Sequence, residues 1–198
     1  RKLKFGNSKG LSAKAKYGGQ TLIGLIAGFW LYFGATSAAE TSVLIPMLKD
    51  VSVPLGIGYV IWTYLVVVGS SNAVNLTDGL DGLAIGPVVI ASGTFLILCY
   101  LTNLQIAGFD VSSYLLIPKV PGVQELTILC AAVIGAGFGF LWYNTFPAQV
   151  FMGDVGSLAL GGVLGCLAVF SKNELLSVII LGIFVLESVS VITQTTSY

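Results

Sequence analysis

Asn72-Ala73-Val74-Asn75-Leu76-Thr77-Asp78-Gly79-Leu80-Asp81-Gly82-Leu83-Ala84 puts two carboxylates and two carboxamides into ten residues between long apolar runs. Charge is costly in hydrocarbon, so such a stretch marks a polar site rather than the middle of a span. Asp78 and Asp81 are three apart and share one face if a helix starts here. Gly79 and Gly82 allow a tight turn and close approach of a ligand to the backbone. A second stretch echoes the first: Asn144-Thr145-Phe146-Pro147-Ala148-Gln149-Val150-Phe151-Met152-Gly153-Asp154-Val155-Gly156-Ser157. It too sets an amide, glycines and one carboxylate between apolar runs. The two stretches are expected to form one polar site at a membrane surface.

The composition puts that surface beside a bilayer. Of 198 residues, 56% are hydrophobic and 9% charged, with a mean hydropathy of +0.94. Soluble domains carry about 25% charged residues, so the fold class expected is an all-α polytopic membrane protein. Net charge is zero, yet Arg1, Lys2, Lys4, Lys9, Lys14 and Lys16 are six of the nine basic residues and precede the first apolar run. That bias reads as a cytosolic segment; nucleic-acid binding does not suit so apolar a chain. No cleavable signal peptide is visible. The chain has no histidine, which excludes a Ser-His-Asp triad or a histidine-ligated zinc within it. Cys99, Cys130 and Cys166 show no paired spacing and read as packing residues.

Six spans are expected in one membrane domain covering 1–198, at about 19–39, 55–71, 83–101, 126–143, 157–170 and 175–192. The basic loop 1–18, with Gly6, Gly10 and Gly18, is expected to hold no long helix. Gly24 and Gly28 suit close helix contact. Between the third and fourth spans, Ser113-Tyr114-Leu115-Leu116-Ile117 has strand character, which suggests a small extracytoplasmic hairpin. Counting alternations from a cytosolic start brings both polar stretches to the cytosolic side.

Each carboxylate also has a plainer reading. Asp78 could be the N-cap of the third span with Asp81 at its third position, and Asp154 could cap the fifth. Phe151 alone reads as interfacial packing. Capping, however, gives no role to Asn72, Asn75, Asn144 or Gln149. Helix N-termini favour phosphate, while carboxylates repel it unless a hard cation intervenes. Mg²⁺ held by one or two carboxylates plus phosphate oxygens is the usual arrangement. The constellation therefore suits a magnesium-bridged diphosphate.

NAVNLTDGLDGLA (Asn72 to Ala84) and PAQVFMGDVGSLALG (Pro147 to Gly161) resemble the bacterial phospho-N-acetylmuramoyl-pentapeptide transferases, the MraY translocase family. Ser8-Lys9-Gly10-Leu11-Ser12-Ala13 is similar to the same family's basic cytosolic loop. The resemblance implies transfer of phospho-MurNAc-pentapeptide from UDP-MurNAc-pentapeptide to undecaprenyl phosphate, forming lipid I and UMP with Mg²⁺. It also implies a ten-helix bundle, with these six spans in its middle and later part, working as a homodimer in the bacterial inner membrane. Asp154 matches the magnesium-binding aspartate, and Asp78 and Asp81 join it as candidate catalytic carboxylates. Asn75, Asp78, Gly79, Leu80 and Asp81 match the loop lining the nucleoside and diphosphate pocket, and Asn144 joins them as a candidate substrate contact. Phe151 matches the aromatic residue that stacks on uracil. Lys2 and Lys16 fall where the family has functional basic residues. The family's adjacent aspartate pair and histidine-rich loop are expected before Arg1 and after Tyr198. These 198 residues are thus expected to be part of a longer enzyme and inactive alone.

Two other functions compete. A polyprenyl-phosphate N-acetylhexosamine-1-phosphate transferase of the same superfamily differs in its UDP-sugar. A cation-coupled transporter expects carboxylates at mid-span and broken helices there; here the carboxylates cluster in loops on one side.

Overall fold

The computed structural model describes residues 12–46, 48, 51–102 and 104–197. Lys2 and the rest of the basic arm before Ser12 lie outside the described residues.

The first helix, α1 (Ala13–Gly34), starts earlier than expected. Ser12 caps it, its hydroxyl accepting from the Ala15 N–H at 3.3 Å. Gly18 and Gly19 do not break it, because a glycine costs a helix only about 1 kcal/mol and the capped start is worth a similar amount. Lys16 consequently rides on a helix rather than in a loop. The chain then makes a 3-10 turn (Ala38–Thr41) and a short antiparallel hairpin, β1 (Ser42–Leu44) with β2 (Ser52–Pro54), Val43 facing Val53.

Helix α2 (Gly58–Thr77) and helix α3 (Ile85–Leu101) flank the first polar stretch. Residues 78–84 form consecutive turns, not a helix. Asp78 is therefore the C-cap of α2, and Ala84 precedes α3, so the N-cap reading of Asp78 is overturned. Strands β3 (Gln105–Ile106) and β4 (Phe109–Asp110) make the expected small hairpin, but from earlier residues. Of the strand-like run from Ser113, the first three residues lie instead in a short helix, α4 (Val111–Leu115), which ends at the left-handed Leu116. Asp110 seeds it, accepting from the Ser113 N–H at 3.1 Å and the Ser112 hydroxyl at 2.7 Å. Local capping outweighs the β propensity of five residues.

Helices α5 (Leu126–Asn144) and α6 (Gly153–Phe170) flank the second polar stretch. Asp154 lies in the first turn of α6, where Met152 is the N-cap, so the N-cap reading of Asp154 is overturned. The expected sixth span is broken into α7 (Glu174–Ile180) and α8 (Gly182–Thr196), bent by 80°. Gly182 follows the break, a residue type common at sharp kinks. The apolar run is continuous across it, so hydropathy could not reveal the bend.

Gly58–Thr77, Val123–Asn144 and Gly153–Phe170 are each long and apolar enough to cross a membrane, and the bent pair adds a fourth if taken as one span. α3 is a shorter apolar helix of 17 residues. The protein is all-α and polytopic, with α2 packed between α1 and α6, and α3 against α5. Glycine permits the closest approaches. A Cβ on Gly161 would meet the Ser70 carbonyl oxygen at 2.5 Å, and one on Gly165 would meet the Val67 Cα at 2.8 Å. Gly28 likewise admits the backbone of Val60, at 2.8 Å from its would-be Cβ, as the spacing with Gly24 predicts. Phe95, Val88, Leu164, Leu167 and Phe184 fill the main core, and Cys99 and Cys130 are buried free thiols.

At one end of the bundle Lys172 sits 3.8 Å above the Tyr59 ring and donates to the Glu40 and Ser42 carbonyls, while the Tyr59 hydroxyl bonds buried Glu174. These contacts tie the β1–β2 region to the α6–α7 junction. The opposite end gathers the start of α1, the end of α2, the end of α5 and the start of α6, and with them both polar stretches.

Candidate active site

Three helix ends converge on Asp154. Lys16 reaches its Oδ2 from the second turn of α1 in an ion pair. Asn75, in the last turn of α2, donates from Nδ2 to the Asp154 Oδ1 at 3.2 Å and to the Ser157 hydroxyl at 2.8 Å. Ser157, one turn along α6 from Gly153, donates to the Gly153 carbonyl at 3.1 Å. Gly153 has a φ of +61°, a left-handed conformation that favours glycine. It turns the chain into α6 immediately before the carboxylate. The close packing of Gly161 and Gly165 against α2 fixes the distance between Asn75 and Asp154.

Asp78 stands beside this cluster. Burial and the nearby Asp154 carboxylate raise its pKa above the ordinary aspartate value. Both causes disfavour a second negative charge there. Asp81 points elsewhere: its Oδ2 accepts from the Ala148 N–H at 3.0 Å, joining the first polar loop to the second. Asn144, only 5% exposed, completes that joint. It accepts from the Gly82 N–H at 3.0 Å and donates to the Val150 carbonyl at 2.8 Å. The clamped loops enclose a cleft of about 210 Å³ lined by Asp78, Gly79, Leu80, Asp81, Asn144 and Phe151, among others. Phe151 is 72% exposed at this cleft, so it is not a packing residue within the chain.

A larger cavity, about 450 Å³ and apolar, runs beside α6 from Gln20, Ser71 and Leu158 to Cys166 and Phe170. Ser71 on its wall lies one turn before Asn75, and Leu158 lies next to Ser157. The geometry thus offers a polar cleft, a charged cluster and an apolar groove in succession.

Residues 7–172 match glycosyl transferase family 4. The chain belongs to this family. Family 4 comprises polyprenyl-phosphate hexosamine-1-phosphate transferases, the MraY enzymes among them, and the protein is accordingly a membrane-embedded phosphoglycosyl transferase. The match spans every residue of the cluster and the cleft. It leaves out Lys2, as well as α7 and α8 from Asn173 onward.

Of the residues singled out in the sequence, Lys16, Asn75, Asp78 and Asp154 come together, while Gly79, Leu80, Asp81, Asn144 and Phe151 line the adjoining cleft. Sequence reasoning gave Ser157 no role, although it lies three residues after Asp154 on one helix face. Asn72 pins α2 to α1, donating to Gln20 Oε1 at 2.9 Å and to the Val68 carbonyl at 2.8 Å.

Among the described residues no group of three or more acidic, cysteine or histidine side chains is placed to hold a metal. Mg²⁺ needs no such group, being commonly bound through one or two carboxylates with substrate phosphates completing the sphere. The Lys16 ammonium places a positive charge on the Asp154 carboxylate.

Proposed function

We propose that this protein transfers phospho-MurNAc-pentapeptide from UDP-MurNAc-pentapeptide to undecaprenyl phosphate, releasing UMP and forming lipid I. The observation that carries this reading is the cluster of Lys16, Asn75 and Asp154, which helix packing assembles between a polar cleft and an apolar groove. A nucleoside diphosphate sugar suits the cleft and the polyprenyl chain suits the groove, so their phosphates would meet at the cluster. In this reading Asp154 holds Mg²⁺. When bound, the metal supplies neutralisation of charge on the diphosphate as the phosphoanhydride bond breaks. Asn75 and Ser157 orient the Asp154 carboxylate, and Asp78 adds negative potential beside it. Lys16 offers a second positive charge to the phosphates. The excess of basic residues before α1 favours a cytosolic site in the bacterial inner membrane, and the family resemblance favours a homodimer.

Substrate choice is the direct test. Purified full-length protein with undecaprenyl phosphate is expected to release UMP from UDP-MurNAc-pentapeptide and not from UDP-N-acetylglucosamine. The reverse preference would assign it to the N-acetylhexosamine branch.

Phe151 provides the base contact in this reading. Stacking on a nucleobase is worth about 1–3 kcal/mol, roughly five- to hundredfold in affinity. Phe151→Ala is expected to weaken UDP-substrate binding by that factor and to leave polyprenyl phosphate binding unchanged, as isothermal titration would record. Equal weakening of both substrates would point to a general loss of structure.

A further inference from the structure

Both oxygens of Asp154 are engaged in the structure: Oδ2 by the Lys16 ammonium and Oδ1 by the Asn75 amide at 3.2 Å. A divalent cation that takes the Oδ2 side of this carboxylate meets the ammonium there, and two positive charges repel each other at one oxygen. Asn75 is the harder to move, because its second and shorter bond, 2.8 Å to Ser157, anchors it to α6. Lys16 is the easier. Its side chain is 31% exposed and that of Asp154 is 51% exposed. Ion pairs this open bias an equilibrium by no more than about fivefold. The flexible four-carbon stem also lets the ammonium move without unwinding α1.

We propose that Lys16 is a resident counter-cation, holding the cation position at Asp154 until a divalent ion exchanges with it. This rests on the reading of Asp154 as the metal ligand. The pair is intramolecular, spans 138 residues and joins α1 to α6. Exchange leaves the freed ammonium within side-chain reach of the anionic substrate, so the same residue serves both states. A purely structural ion pair predicts something different: Lys16 would stay on Asp154 whether or not a metal is present.

The test uses full-length protein in detergent without substrate, with Mn²⁺ as the oxygen-ligated stand-in for Mg²⁺. Brief acetylation followed by mass spectrometry reads how free the Lys16 amine is, and electron paramagnetic resonance reads bound Mn²⁺. Mn²⁺ is expected to raise Lys16 acetylation in the wild type to the level found in Asp154→Asn, where it should be high and insensitive to Mn²⁺. Lys16→Met is expected to tighten Mn²⁺ binding about two- to fivefold. If Mn²⁺ binds through Asp154 while Lys16 acetylation stays constant, the exchange is refuted and the metal assignment stands. If Mn²⁺ binding is indifferent to Asp154→Asn, both fail. Should Lys16→Met not fold, the acetylation measurement on wild-type protein decides alone.

Discussion

Asp154→Asn is expected to yield a folded protein whose turnover falls by more than about a hundredfold, the upper range for loss of a mere supporting contact at a metal site. The folding half of this expectation comes from the surroundings. Asp154 is exposed and takes part in an ion pair of the half-exposed kind that contributes at most about 1 kcal/mol. Asparagine keeps an oxygen for the Asn75 amide and changes the side-chain volume little. The catalytic half comes from charge. A neutral amide neither holds a hard divalent cation as a carboxylate does nor provides the charge that cation brings to a leaving diphosphate. Circular dichroism and a thermal melt check the fold, and a UMP-release assay across a magnesium titration checks the chemistry. Wild-type kcat with an unchanged magnesium dependence would remove Asp154 from the metal site.

How much of this was legible in the sequence depends on the range of the signal. The two polar stretches announce themselves, because carboxylates and amides are conspicuous among apolar runs. The parity of the spans then brings them to one end of the bundle. Gly24 and Gly28 declare a close helix contact through their four-residue spacing, and the structure has it. Other features depend on contacts that spacing does not encode. Asp78 and Asp81 look equivalent in DGLDG, but the stretch is a series of turns. One carboxylate therefore faces Asp154 and the other bonds the Ala148 N–H of a loop 67 residues away. The family resemblance marks Lys16 as a functional basic residue, but not that α1 begins at Ala13 and carries it to Asp154. The bend between α7 and α8 lies inside an unbroken apolar run, where only tertiary packing decides between one straight span and two short helices.

Asn144 shows how such an unencoded contact becomes a function, and its replacement has the second large expected effect. Its side chain bonds both polar loops, accepting from Gly82 and donating to Val150 from a buried position. Asn144→Leu conserves the shape and removes both bonds, leaving an N–H and a carbonyl without partners. Each such group costs about 1–3 kcal/mol, so a loss of about 2–6 kcal/mol is expected in thermal or denaturant unfolding in detergent. Asn144→Asp is the sharper variant. It still accepts from Gly82, but it sets a carboxylate oxygen against the Val150 carbonyl at 2.8 Å, where the amide had a donor. Repulsion should then open the joint from the Val150 side, and the aspartate variant should be at least as unstable as the leucine one. The cleft wall from Gly79 to Gly82 and Phe151 hangs on this joint, whereas Asp154, Asn75 and Lys16 are carried on α6, α2 and α1. UDP-substrate affinity is therefore expected to fall in both variants while Mn²⁺ binding at Asp154 persists. Loss of both together in a protein that still folds would mean that the cleft and the charged cluster are one mechanical unit, and that Asn144 supports the metal position as well as the nucleotide.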